Sequence, residues 1–253
     1  MKESFMSVPN PSSPAERIRR HLRGVEALRS TAASAGTVSA VQTIKRLQAA
    51  RFEHTYADFL VHAEYAAAAR FFLGELYGVR DFSQRDQQFA RIAGGLERLF
   101  PAAVAELAVD LVELHALTEH LDHDMAVAWN GLSPDLTQGQ RYVASWHAAG
   151  SREDRDRQLM VVSAMGTELE HLTRKKSLRT ALRLMRGPAR AAGLDALQQF
   201  LEAGFDAFAS MARPRVLMEA IHARESDWLN RLYSTADAGT AAELDRIWTA
   251  RRT

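Results

Sequence analysis

"GLDALQQFLEAGFDAFASM", residues 193–211, decides the fold class. Placed on a helix at about 100° per residue, Leu194, Leu197, Leu201, Gly204, Phe208 and Met211 fall in one stripe, while Glu202 and Asp206 point away. Gly204 inside that stripe costs about 1 kcal/mol of helix propensity relative to Ala, so the pattern predicts close approach by a neighbouring helix there. The following stretch, "RPRVLMEAIHARESDWLNRLY", residues 213–233, repeats the arrangement, with Leu217, Ile221, Trp228 and Leu232 on one face. Strand-like alternation bounded by turns occurs nowhere in the chain.

Working outward, the same period predicts helices over 15–32, 38–77, 84–99, 102–130, 137–148, 153–186, 190–212, 214–232 and 239–251. Breakers fall between them: Gly78, Pro101, Gly131 to Pro134, Gly150, Gly187 with Pro188, Pro214 and Gly239. No break has the length of an interdomain linker, and no fixed-period repeat occurs. The expected architecture is all-α, a single bundle of eight or nine helices over residues 15–253, preceded by a flexible lead-in over 1–14 that contains the turn-forming PNPSSP cluster.

Composition narrows the function classes. With 253 residues, 47% hydrophobic, 25% charged and a net charge of +1, the chain can bury a large core and has no global electrostatic pull toward nucleic acid or a membrane surface. Cysteine is absent, which removes disulfides, thiolate nucleophiles and cysteine metal sites together. The opening MKESFMSVPNPSSPAE lacks the apolar stretch of a secretory signal, and nothing approaches the ~18 uninterrupted apolar residues of a membrane span. A cytoplasmic protein is expected.

The stretch "ARFFLGELYGVRDFSQRD", residues 69–86, reads as a corner between two helices. Gly78 ends the first, Ser83 caps the second, and Asp86 falls in the acid-favoured first turn. Arg80, Asp81, Arg85 and Asp86 are placed to pair across the connection, or Arg80 and Arg85 to meet an anion. The block FFLGELYGVRDFSQRD, with LRLMRGPARAAGLDALQQFLEAGFDAF, resembles a family of uncharacterised, all-helical bacterial proteins of proteobacterial type over roughly residues 40–230. That resemblance implies an α-helical domain and carries no activity or catalytic residue with it.

A di-iron carboxylate bundle is the sharpest chemical reading to test. Such a site needs a Glu-x-x-His on each of two helices and a carboxylate on each of two others, all pointing inward. The chain offers Glu168 with His171, Glu219 with His222, Glu202 and Asp206 on the helix between, and Glu113 and Glu119 before. Direction argues against it: His222 sits about 90° from its helix's apolar centre and Glu219 nearly opposite it. Glu202 and Asp206 face outward, and His171 lies farther round than Glu168. The His123-Asp124 pair also falls away from its apolar face. His54, His62 and His115 are the available haem ligands, His115 being best placed. The phosphate-loop, dinucleotide and hydrolase-elbow motifs are missing, and no catalytic residue, metal or cofactor is assigned.

Charge stripes remain. From Arg174 to Arg190 there are seven cations and no acid, and Lys176, Arg179, Arg183 and Arg186 lie within about 80° of one another, opposite Leu178, Leu182 and Met185. Residues 101–140 mirror this with seven acids and no Lys or Arg, and Glu106, Asp110, Glu113 and Asp124 share an outer face. Three readings stay open: two solvated faces, pairing within the chain or between protomers, and docking of an anionic partner by the basic row. The functional expectation is a helical binding or interaction protein whose opposed faces direct self-association or an anionic partner. The alternative is a helical-bundle enzyme using iron or haem. Nucleic acid is not favoured, since no aromatic residue interleaves the basic row.

Overall fold

The computed structural model describes residues 12–76, 78–234 and 238–250, and among these there is no strand. The first helix, α1 (Pro14–Ser34), starts with proline, and Ser13 and Glu16 close a reciprocal cap at its entry. Residues 1–11 of the expected lead-in lie outside the described residues.

Sequence analysis expected one helix over 38–77. Instead α2 (Val38–Thr55) gives way to two short pieces, α3 (Ala57–Val61) and α4 (Ala66–Phe71), followed by a π-helical turn, Phe72–Leu76. The break is made at His62, whose extended backbone interrupts the ladder and whose Nδ1 accepts the Glu64 N–H at 3.2 Å. Bending the chain there gathers Tyr56, Phe59, Tyr65, Ala68 and Phe72 into one cluster with Phe208 and Leu217. A straight helix would spread those rings around its circumference.

α5 (Ser83–Leu99) begins one residue earlier than expected, so Ser83 is its first residue and Phe82 occupies the cap position; the Asp81 carboxylate accepts the Ser83 N–H at 2.9 Å and hydroxyl at 3.0 Å. α6 (Ala102–Gly131) is the organising element, with buried residues on most of its circumference and α1, α2, α5, α7 and α8 packed around it. α7 (Gln138–Ala148) follows, capped by Thr137.

The helix expected over 153–186 is also divided. α8 (Arg152–Thr173) stops, α9 (Lys176–Leu184) turns away, and α10 (Arg186–Ala191) closes the segment. The reason is written in the spacing: counted from Leu172, Leu178 and Leu182 lie about 80–120° round a continuous helix, so one straight rod cannot bury all three. α11 (Asp195–Ala209), α12 (Pro214–Tyr233) and α13 (Ala238–Ala250) complete the chain, giving more helices than the eight or nine expected. The close approach expected at Gly204 is present, made by the Phe71 ring of α4: a Cβ on Gly204 would sit 2.8 Å from Phe71 Cζ. Among the described residues, no helix is long and apolar enough to cross a membrane.

Candidate functional site

Three helices carry ionisable or amide side chains into the hydrophobic interior at one place, and a fourth adds a tryptophan. α2 presents Gln48, Arg51 and Phe52 on a single face by i, i+3, i+4 spacing, and α8 does the same with Arg155, Gln158 and Leu159. α12 contributes Ile221, Glu225 and Leu229, and α7 places Trp146 beside them. Together they enclose a cavity of about 70 Å³, large enough for a small molecule or several waters. Its remaining wall is mostly hydrocarbon, including Leu217, Phe72 and Val162.

One of the two arginines is paired with a carboxylate, its Nε alone being without a hydrogen-bond partner. Arg51 Nη1 and Nη2 donate to the two oxygens of Glu225 at 3.2 and 2.8 Å, and the Tyr56 hydroxyl donates to Glu225 Oε1 at 2.8 Å. The guanidinium also lies over the Phe52 and Trp228 rings, at 4.2 and 5.2 Å from their centroids. Burial works against its charge, but the carboxylate beside it more than offsets this and holds Arg51 protonated well above its usual range.

Arg155 differs. It is 4% exposed, yet no described carboxylate pairs with it. Its Nη2 lies 3.2 Å from the Met125 sulfur, Nη1 is 3.4 Å from Gln158 Oε1, and Nε has no partner. The Trp146 ring, 3.9 Å away, supplies the closest compensation. Burial therefore pushes the Arg155 pKa down. Trp146 Nε1 and the Tyr142 hydroxyl are likewise buried without a hydrogen-bond partner, and burial pushes Tyr142 up to about 12. Native interiors satisfy the great majority of such groups, and three of the exceptions, Arg51 Nε, Arg155 Nε and Trp146 Nε1, belong to side chains that line this cavity.

The nearby carboxyl is Asp122 of α6, 2% exposed, which accepts a hydrogen bond from Gln48 Nε2 at 2.7 Å. Burial pushes its pKa up to about 6, with Glu119 adding to the rise and Lys45, Arg155 and Gln48 opposing it. Lys45 is itself ion-paired to Glu119. With Lys45 matched to Glu119 and Arg51 to Glu225, Arg155 is the cation of this cluster with no carboxylate partner among the described residues, and the carboxyl acting on it through space, Asp122, is easily protonated.

Sequence analysis missed this cluster, although a signal was present. Leu217, Ile221, Glu225 and Leu229 form an i, i+4 row with a carboxylate in its middle, and Arg155, Leu159 and Val162 form another with a guanidinium at its head. Charged residues inside apolar rows are rare and mark function more sharply than Glu-x-x-His spacing does.

The residues singled out from the sequence are placed differently. In the basic row, Arg186 grips Glu202 through Nε and Nη2, at 2.7 and 2.6 Å, and Arg179 donates to Asp206 at 2.8 Å. Lys176 and Arg183 are exposed and make no ion pair among the described residues. On the acidic face Glu106 pairs with Arg17 of α1, Glu113 with Arg157 of α8 at 2.7 Å, and Asp124 with His120 at 3.4 Å. Burial, then Glu113 and Glu106, push Asp110 up. Arg179, Arg186, Glu106 and Glu113 thus pair with other helices of the same chain and Asp124 with its own, and among the described residues the two stripes do not pair with each other.

Arg80 and Arg85 serve the corner. Arg80 donates to Glu75 at 2.7 Å, while Arg85 is buried, donates to the Glu75 carbonyl at 2.9 Å and lies over the Phe82 and Phe200 rings. Asp86 lies in the first turn of α5 as expected and is buried there: it is 7% exposed, Arg29 donates to it at 2.8 Å, and His115 Nε2 lies 2.9 Å away. Burial pushes Asp86 up, but His115, Arg29 and Arg85 outweigh it and hold it below the usual range. His54, His62, His171, His222 and Glu219 are exposed and Glu168 is half-buried. Among the described residues no group of three or more His, Asp or Glu side chains is arranged to hold a metal ion.

A family model described as a domain of unknown function, DUF8198, matches residues 27–239, a span that contains every side chain of the arginine cavity. No curated protein and no solved structure matches the chain.

Proposed function

The chain belongs to the DUF8198 family, which supplies no activity to inherit, and on its own residues we propose that it is a binding protein for a small monocarboxylate held in the arginine cavity. The observation that carries this is Arg155: a guanidinium 4% exposed, facing a cavity, without a carboxylate partner. Keeping an unpaired charge in the interior costs several kcal/mol, on the order of the gain from giving it a partner. A planar carboxylate fits the two-pronged geometry of guanidinium better than a spherical anion does.

Charge selects a monoanion. Among the described residues that line the cavity, Arg155 is the one cation without a carboxylate partner, and most of the remaining wall is hydrocarbon, so a dianionic phosphate would enter with one charge uncompensated. Binding is coupled to Asp122: an anion on Arg155 disfavours the ionised carboxyl nearby, so proton uptake by Asp122 accompanies it. The sequence-based expectation of a binding protein is kept in this reading. Its site moves inward, because Arg179 and Arg186 of the basic row are already engaged by α11.

Isothermal calorimetry with butyrate tests the reading against butanol and inorganic phosphate. Butyrate is expected to bind at one site and the other two not, with the heat abolished by Arg155→Gln. Equal binding of butyrate to Arg155→Gln would sink the proposal.

A further inference from the structure

A second cavity, about 120 Å³, shares the Phe72 ring with the arginine cavity as a common piece of wall. It lies among α5, α6, α8, α9 and α11, and its lining is hydrocarbon: Phe89, Leu107, Leu111, Met165 and Phe205 are representative. Thr173 is the one hydroxyl there, and it is spent on the Leu169 carbonyl at 2.7 Å. An empty cavity lined by apolar side chains destabilises a fold in proportion to its volume.

Phe72 is the first residue of the π-helical turn, an irregularity that recurs at functional sites. Its ring is held edge-on by Phe208 and Phe71, at centroid distances of 5.7 and 6.4 Å. No hydrogen bond fixes a phenyl group, so rotation about its side-chain torsions is opposed only by packing. The Phe72 ring therefore borders both a cavity with an unmatched cation and one lined by hydrocarbon.

We infer that the two cavities receive a single ligand, a fatty acid, with its carboxylate on Arg155 and its alkyl chain passing Phe72 into the hydrocarbon cavity. This rests on the reading of the arginine cavity given above and extends it by fixing the ligand as an amphiphile. Charge complementarity places the head, since the hydrocarbon cavity offers no cation or free donor. The chain supplies affinity that a short carboxylate lacks, roughly fourfold per methylene taken from water.

Calorimetry with butyrate, hexanoate, octanoate and decanoate on the full chain separates the two ideas. Affinity is expected to climb roughly fourfold per methylene and then level off when the hydrocarbon cavity is full. In Leu107→Trp, which fills that cavity from α6, butyrate should bind as before while the climb with length disappears. Val104→Phe serves the same purpose should Leu107→Trp fail to fold. If butyrate binds through Arg155 but length has no effect, or the climb survives in a folded filled variant, the fatty-acid inference is overturned and the carboxylate reading stands. If no member of the series binds, or decanoate binds equally well to Arg155→Gln, both are overturned.

Discussion

Arg51 and Glu225, 174 positions apart in the chain, meet in a two-point ion pair at 3.2 and 2.8 Å that joins α2 to α12 across the floor of the arginine cavity. Arg51 is 3% exposed and the Glu225 side chain 15%. Removing one member of such a pair leaves a buried charge without its partner, which costs about 3–5 kcal/mol, whereas removing both together costs far less. Glu225→Gln is therefore expected to lower the urea midpoint strongly, and Arg51→Met with Glu225→Leu to recover most of the loss. Additive losses in the double variant would show that the pair is not coupled as the geometry requires.

Arg155→Met gives the opposite sign. The guanidinium has poor partners and Met has a similar reach, so the variant is expected to gain on the order of 1 kcal/mol while losing the ligand. A melting curve read beside calorimetry checks both halves. Loss of stability would make Arg155 a structural residue.

Asp122 sets a pH dependence whose direction follows from its raised pKa. The folded protein holds this proton up to about 6 against a reference value of 3.8, so the stabilisation is complete below 3.8, is lost as pH climbs toward 6, and stays lost above. Comparing Asp122→Asn with the parent isolates the group: the variant should be more stable by ~1–3 kcal/mol at pH 7.5 and show no such difference near pH 3.5. Carboxylate binding should strengthen between pH 7.5 and 6, with net proton uptake.

Two helix glycines answer to their neighbours. A Cβ on Gly139 would stand 2.0 Å from the Ala241 carbonyl oxygen, forcing α7 away from α13. Ala normally favours a helix over Gly by about 1 kcal/mol, but Gly139→Ala is expected to destabilise by ~2 kcal/mol or more, because the obstacle is backbone. Gly204→Ala meets the Phe71 ring instead, which can shift, so its loss is expected to be smaller. Equal denaturation midpoints for the parent and Gly139→Ala would contradict the α7–α13 contact.

The local part of the fold is legible in the sequence. The 3.6-residue period of Leu197, Gly204 and Phe208 and the helix boundaries near Gly131 and Pro214 are set by interactions within a turn or two of chain, whereas Pro14, read as the end of a flexible lead-in, opens α1. The break after Thr173 is present in the spacing of Leu172, Leu178 and Leu182 but not in the breaker residues, whereas the break near His62 was not legible, because it trades a few helical hydrogen bonds for burial against α11 and α12. Partner choice was hidden for the same reason: spacing identified Arg179 and Arg186 as one row but could not say that Glu202 and Asp206 stand opposite.

By itself, then, the amino-acid order determined which faces are apolar, many of the helix ends, and that the described residues form helices without a strand. Only the tertiary structure decided that Arg51, Asp122, Arg155 and Glu225 share one interior, with one of the two arginines left unmatched. Helix periodicity reports the direction of a side chain about its own axis, within a few turns. The match between charges brought by four separate helices depends on how those axes pack, and that is fixed by long-range burial.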